Sequence, residues 1–119
     1  MSTPQGFKDL RVWQEAMDFA VKIFKLTEDL PKHEVYGLCS QLRRSAVSVP
    51  SNIAEGWGRK GNKEFAHFLD IAYGSICELD TQLELVYRCY CIEISELSLQ
   101  CQSIRKQMFH LRKKVEQGS

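Results

Sequence analysis

The chain has no apolar run near the ~20 residues that a bilayer span requires, so no membrane association is expected. Proline occurs 3 times and glycine 7 times in 119 residues, which excludes collagen-like and low-complexity classes. The amino end, Met1 to Phe7, has neither the basic nor the apolar region of a secretory leader. The expectation is a chain that is not exported. Cysteines stand at 39, 77, 89, 91 and 101, an odd number without the framework of a small disulfide scaffold. A reducing cytoplasm is therefore the expected location. A chain of this length buries roughly two-thirds of its unfolded surface, so it needs no disulfide or metal as a staple.

What is present is ordinary globular composition, 44% apolar and 26% charged, read as one domain over residues 1–119. Helical periodicity dominates it. Phe65, Leu69, Ala72, Ile76, Leu79, Leu83, Val86 and Tyr90 recur at steps of four and three, a heptad seam. Asn62 is its expected N-cap. At ~1.5 Å per residue this helix is ~40 Å long, the spine of the fold. Leu97, Cys101, Ile104, Met108, Leu111 and Val115 repeat the pattern behind a Ser95 cap, with Gly118 just beyond. A first helix is expected from Leu10 to Glu28, capped by Asp9. Trp13, Ala16, Met17, Ala20, Ile23 and Phe24 form one apolar side, with Val12, Phe19 and Leu26 beside them. So wide an apolar surface predicts more than one neighbour.

Leu38, Leu42, Ala46, Val49 and Ile53 mark a second helix from about Glu34 to Glu55. Pro50 removes a donor and disfavours helix at Val49, which predicts a kink or brief break there. No strand-like alternation bounded by turns occurs. The fold expected is all-α: an antiparallel up-down four-helix bundle, its second helix kinked near Pro50.

Net charge is +1, but unevenly spread. Residues 1–63 carry a net +3, residues 64–96 a net −6 and residues 97–119 a net +4. Either acidic and basic helix faces lie side by side, within a subunit or between subunits, or the basic segments also form a patch for a polyanion.

No motif demands catalysis. Gly56-Trp-Gly-Arg-Lys-Gly61 matches a dinucleotide fingerprint literally, but a helix precedes it where a strand is required. It reads as a helix–helix connection whose Arg59, Lys60 and Lys63 suit phosphate at a helix N-terminus. Arg105, Lys106, Arg112, Lys113 and Lys114 are further candidate phosphate contacts. Glu64 and His67 have the Glu-x-x-His spacing of di-iron bundles, yet the second pair is missing. Cys89 and Cys91 lack partners at zinc spacing, so the cysteines read as buried or half-buried thiols. The expectation is no enzyme, no metal and no cofactor.

A polar stripe runs beside the apolar one on the second helix: Gln41, Arg44, Ser48, Asn52 and Glu55. In the third helix Gly74 costs ~1 kcal/mol relative to alanine. Gly74-Ser75 is therefore expected to admit a neighbouring helix, with Glu78 pairing Arg43 or Arg44. This polar set reads as structural, with a ligand site as the alternative.

Three blocks carry a family resemblance: Phe7-Lys-Asp-Leu-Arg-Val-Trp-Gln, the stretch from Tyr36 through Gln41-Leu-Arg-Arg to Asn52-Ile-Ala-Glu-Gly56, and Ile71-Ala-Tyr-Gly-Ser-Ile-Cys-Glu-Leu79. They resemble the four-helix-bundle proteins encoded in intervening sequences of bacterial 23S ribosomal RNA genes. Resemblance spans residues 7–90. It implies an up-down bundle assembled as a ring-like homopentamer. The chain is also similar to accessory proteins of diversity-generating retroelements, pentamers that bind nucleic acid and a reverse transcriptase through a basic surface. Family motifs fall on Arg43, Arg44, Asn52, Glu55, Gly74, Ser75 and Glu78, and no catalytic residues come with them. The functional expectation is a non-enzymatic homo-oligomer that binds RNA or other nucleic acid. The alternatives are a protein–protein scaffold and, more remotely, a metal-dependent bundle enzyme.

Overall fold

In the computed structural model, which describes residues 3–118, every regular element is helical: α1 (Arg11–Thr27), α2 (Leu38–Trp57), α3 (Asn62–Tyr90) and α4 (Ser95–Gln117), with short 3₁₀ turns at Phe7–Asp9 and Lys32–Glu34. The four apolar stripes close on one interior. Leu69, Ala72, Ile76, Leu79, Leu83 and Val86 of α3 are buried in the same core cluster as Leu42, Ala46, Val49 and Ile53 of α2. Cys101, Ile104 and Met108 close it from α4, and Val12, Ala16, Phe19, Ile23 and Leu26 from α1.

Cross-helix contacts give the direction of each rod. Ser48 of α2 meets Ser75 of α3 and Ser45 meets Gln82, so falling numbers face rising ones. Asp80 meets Arg105 while Asp70 meets Arg112, and Asp18 meets Gln100 while Glu15 meets Ser103. Neighbours in the chain are antiparallel, and α4 returns beside α1. The long axis of the molecule is 46 Å, close to the ~43 Å rise of 29 residues in α3.

The helix ends differ from expectation. Asp9 does not cap α1; it lies in the 3₁₀ turn, where its carboxylate accepts from the Gln5 amide, and Leu10 takes the cap position. Asn62 is already helical, preceded by Gly61 at φ +91°, a conformation that favours glycine. Ser95 is likewise the first helical residue, and its amide and hydroxyl both donate to Glu93 Oε1. The second helix starts at Leu38 rather than Glu34, because Lys32–Glu34 forms its own turn, and it continues through Pro50 as helix to Trp57.

Glu34 still acts on α2. Its Oε1 accepts from the Leu38 amide at 3.1 Å, and its Oε2 accepts from the Tyr90 hydroxyl, tying the start of α2 to the end of α3. The Tyr90 hydrogen bond, then the Leu38 amide, hold the Glu34 carboxyl below its usual range. The same bond pushes Tyr90 up to about 12. A lowered Glu pKa stabilises the fold above the unfolded value and is lost as pH falls through the folded one. A raised Tyr pKa stabilises below ~10 and is lost as pH rises toward the folded value. Glu34→Gln should therefore flatten the acid limb of a melting-temperature profile below about pH 5. An unchanged acid limb would contradict this coupling.

Two glycines serve opposite ends. A Cβ on Gly56 would stand 2.8 Å from Phe68 Cβ and 2.9 Å from Phe65 Cδ1, so glycine permits the close approach of α2 and α3 beside the turn. Gly74 is exposed, and a Cβ there would meet nothing within 4 Å. The expected close approach at Gly74 is absent within the protomer. Gly56→Ala should cost about 1–3 kcal/mol by overpacking, whereas Gly74→Ala should gain about 0.5–1 kcal/mol. Urea titrations of both variants check the opposite signs.

Candidate nucleic-acid interface

Antiparallel packing gathers positive charge at one end of the bundle. The end of α4 reaches the start of α3: a Cβ on Gly118 would lie 3.2 Å from Asn62 Nδ2. Exposed Lys60 and Lys63 flank the start of α3, and exposed Lys113 and Lys114 occupy the last turns of α4. Arg11, the first residue of α1, lines a small cleft with His110 and Lys114. One to two turns back along α4, away from this end, Lys106 lines an adjoining cleft with Arg11 and His110. The N-termini of α1 and α3 share this end with the C-termini of α2 and α4, so the helix dipoles offset one another and the positive charge is that of the side chains. Arg11 and His110 escape sequence reasoning, since each is isolated in the chain and only packing of α1 on α4 brings them together.

The eight basic residues singled out in the sequence divide into two groups. Lys60, Lys63, Lys106, Lys113 and Lys114 form no ion pair among the described residues, although Lys113 Nζ sits 5.2 Å from the Phe109 ring centroid. The three arginines are engaged. Arg59 pairs with Glu55 at 2.9 Å and lies over the Phe68 ring. Arg105 donates to Asp80 at 2.6 Å, where both side chains are mostly covered. Arg112 grips Asp70 with two donors, at 2.6 and 3.0 Å, and Glu116 with a third. Hydrogen bonds to Asp80 and Asp70 raise both guanidinium groups further above their already high range. Part of the basic fourth helix thus complements the acidic third one inside the protomer.

The polar set is also separated by the fold. Arg43 turns to α1, donating to Thr27 Oγ1 at 2.9 Å and covering the Phe24 ring. Glu55 belongs to the Arg59 pair. Asn52 Nδ2 donates to Ser48 Oγ, which shares a 2.7 Å hydrogen bond with buried Ser75. The expected ion pair of Glu78 with Arg43 or Arg44 does not form among the described residues. Arg44 and Glu78 are exposed side chains on α2 and α3 that line one cleft with Ser45, Ser48, Ser75 and Gln82.

Cys39 and Cys101 are buried, and burial pushes both thiols up, Cys101 to about 12. Cys77, Cys89 and Cys91 are exposed, contrary to the expectation of buried or half-buried thiols, because each falls off the seam. Among the described residues no three His, Cys, Asp or Glu side chains gather as a metal site would require. No helix among them is long and apolar enough to cross a membrane.

The 23S rRNA-intervening sequence protein family matches residues 8–110 of this chain. The chain belongs to that family. The match covers α1, α2, α3 and α4 as far as His110, so it includes Arg59, Lys60, Lys63, Arg105 and Lys106 but stops before Arg112, Lys113 and Lys114. Family similarity therefore extends well into the fourth helix, past the quoted sequence blocks. A solved structure of a protein of unknown function, from the S23 ribosomal protein family of Bacteroides thetaiotaomicron VPI-5482, superposes with a TM-score of 0.79 at 25% identity. The alignment covers 86% of this chain and 95% of that one. No curated protein matches the chain.

Proposed function

We propose that this member of the 23S rRNA-intervening sequence protein family is a cytoplasmic, non-enzymatic homo-oligomer that binds RNA or other nucleic acid through the basic end of its bundle. The observation that carries the reading is the convergence of Lys60, Lys63, Lys113 and Lys114, from two separate chain segments, without an acidic partner among the described residues. Lysines that served only to balance the acidic third helix would be expected to pair with it, as Arg105 and Arg112 do. Phosphate is an apt counter-charge for this surface, since it needs positive potential and no base-reading platform.

Assembly has its own support. Trp13, Met17, Val21 and Phe24 of α1, with Val47 and Pro50 of α2, line an apolar groove that the protomer leaves open. The core seam of α1 runs instead through Val12, Ala16, Phe19, Ile23 and Leu26, so the second apolar side is free for another copy. A ring of the homopentameric kind would present several basic ends to one polyanion and multiply weak contacts by avidity.

Fluorescence anisotropy with labelled single-stranded and duplex RNA over a salt series tests the proposal. Log K should fall linearly with log salt, by ~0.7–0.9 per phosphate neutralised. Absence of binding at low salt would favour the second reading, a protein–protein scaffold whose basic residues complement the acidic third helix of a neighbouring copy. Native mass spectrometry reports subunit number and co-purifying nucleic acid together.

A further inference from the structure

We propose that the cleft between α2 and α3 is a binding site for a small zwitterion of the free amino-acid type. The cleft measures about 420 Å³, within the ~300–1,000 Å³ range of small-molecule sites. It lies apart from the basic end, contains none of the lysines proposed to meet phosphate, and goes beyond the nucleic-acid reading.

The protein leaves a polar atom unmet there. Gln82 is only 7% exposed, and its Oε1 has no hydrogen-bond partner. Its amide nitrogen reaches only Ser45 Oγ, at 3.4 Å. Turning the amide over would exchange which heteroatom is free, but one of them lacks a partner either way. An unmet buried polar group costs free energy that an apolar side chain of similar shape would avoid. The unmet oxygen is closed off from solvent beside the cleft, so a ligand meets it only when the Gln82 side chain turns outward.

The rest of the wall defines the ligand. Arg44 from α2 and Glu78 from α3 carry opposite charges into one cleft and form no ion pair with each other or with any described residue. Two unpaired opposite charges in one cleft fit a molecule that bears both signs. Its carboxylate meets the Arg44 guanidinium and its ammonium meets Glu78. The hydroxyls of Ser48 and Ser75, joined at 2.7 Å and held by Asn52 Nδ2 at 2.9 Å, are already ordered beside it. A lone cation would be repelled by Arg44 and a lone anion by Glu78.

Isothermal titration of the full chain with a panel of free L-amino acids tests the site, with acetate and methylammonium as single-charge controls. At least one amino acid should bind saturably, with both controls at least tenfold weaker. Arg44→Gln and Glu78→Gln should each weaken that binding by about tenfold or more, equivalent to ~1.4 kcal/mol. Gln82→Met should raise the melting temperature of the unliganded protein, since it removes the unmet amide. No saturable binding by any amino acid at millimolar concentration would overturn the proposal, leaving the cleft to water or to a second copy. So would binding indifferent to Arg44 and Glu78. RNA affinity measured on the same variants should stay at the wild-type value, so that failure here and failure of the nucleic-acid reading are distinguishable.

Discussion

Leu79→Ala should lower the free energy of unfolding by about 2–5 kcal/mol. Leu79 is completely buried at the middle of α3, in the core that all four helices share. Truncation removes its transfer free energy and opens a cavity that a close-packed interior fills only in part. Against the ~5–15 kcal/mol total of a typical domain, that is a large fraction. Leu85 on the same helix is 45% exposed, and Leu85→Ala should stay within about 0.5 kcal/mol. Urea denaturation followed by circular dichroism, at one fixed protein concentration, gives both values. Equal losses at the two positions would mean that the α3 seam does not face the interior.

Replacing Lys60, Lys63, Lys113 and Lys114 together by glutamine should cut RNA binding severely and change its salt response. Four lost phosphate contacts reduce the slope of log K against log salt by ~3–4, and for the wild type those contacts alone account for roughly a hundredfold loss between 50 and 200 mM salt. Arg105→Gln and Arg112→Gln are the informative controls. Each breaks a pair with Asp80 or Asp70 in the α3–α4 seam, so each should lower stability with less effect on the slope. If the arginine variants alone removed binding while the lysine variant kept it, the basic end would not be the contact surface.

The long seams are legible in the residue spacing alone. Steps of four and three from Phe65 to Tyr90 admit one helical face, and the residues between its ends are all buried. The buried face of α1 is not legible in the same way. Val12, Ala16, Phe19, Ile23 and Leu26 step as regularly as Trp13, Met17, Ala20 and Phe24, and both sets are apolar. Periodicity alone does not rank them; contact with α2 and α4 does. The expected caps at Asp9, Asn62 and Ser95 each miss by one residue, because the deciding features are the φ of Gly61 and a carboxylate at Glu93 rather than the side chain nearest the first turn. The candidate site shows the same division. Its lysines are visible as basic clusters, whereas Arg11 and His110 give no local signal and join them only through helix packing.

By itself the amino-acid order determined four amphipathic helices, the family to which they belong and the uneven spread of charge. These are local properties, written in residue spacing over a few helical turns. Only the tertiary structure decided which arginines are spent on Asp70 and Asp80, which lysines stay unpaired, and that Arg44 and Glu78 share a cleft without joining. Charge pairing depends on contacts of a few ångströms between residues tens of positions apart, and helix periodicity does not carry that information.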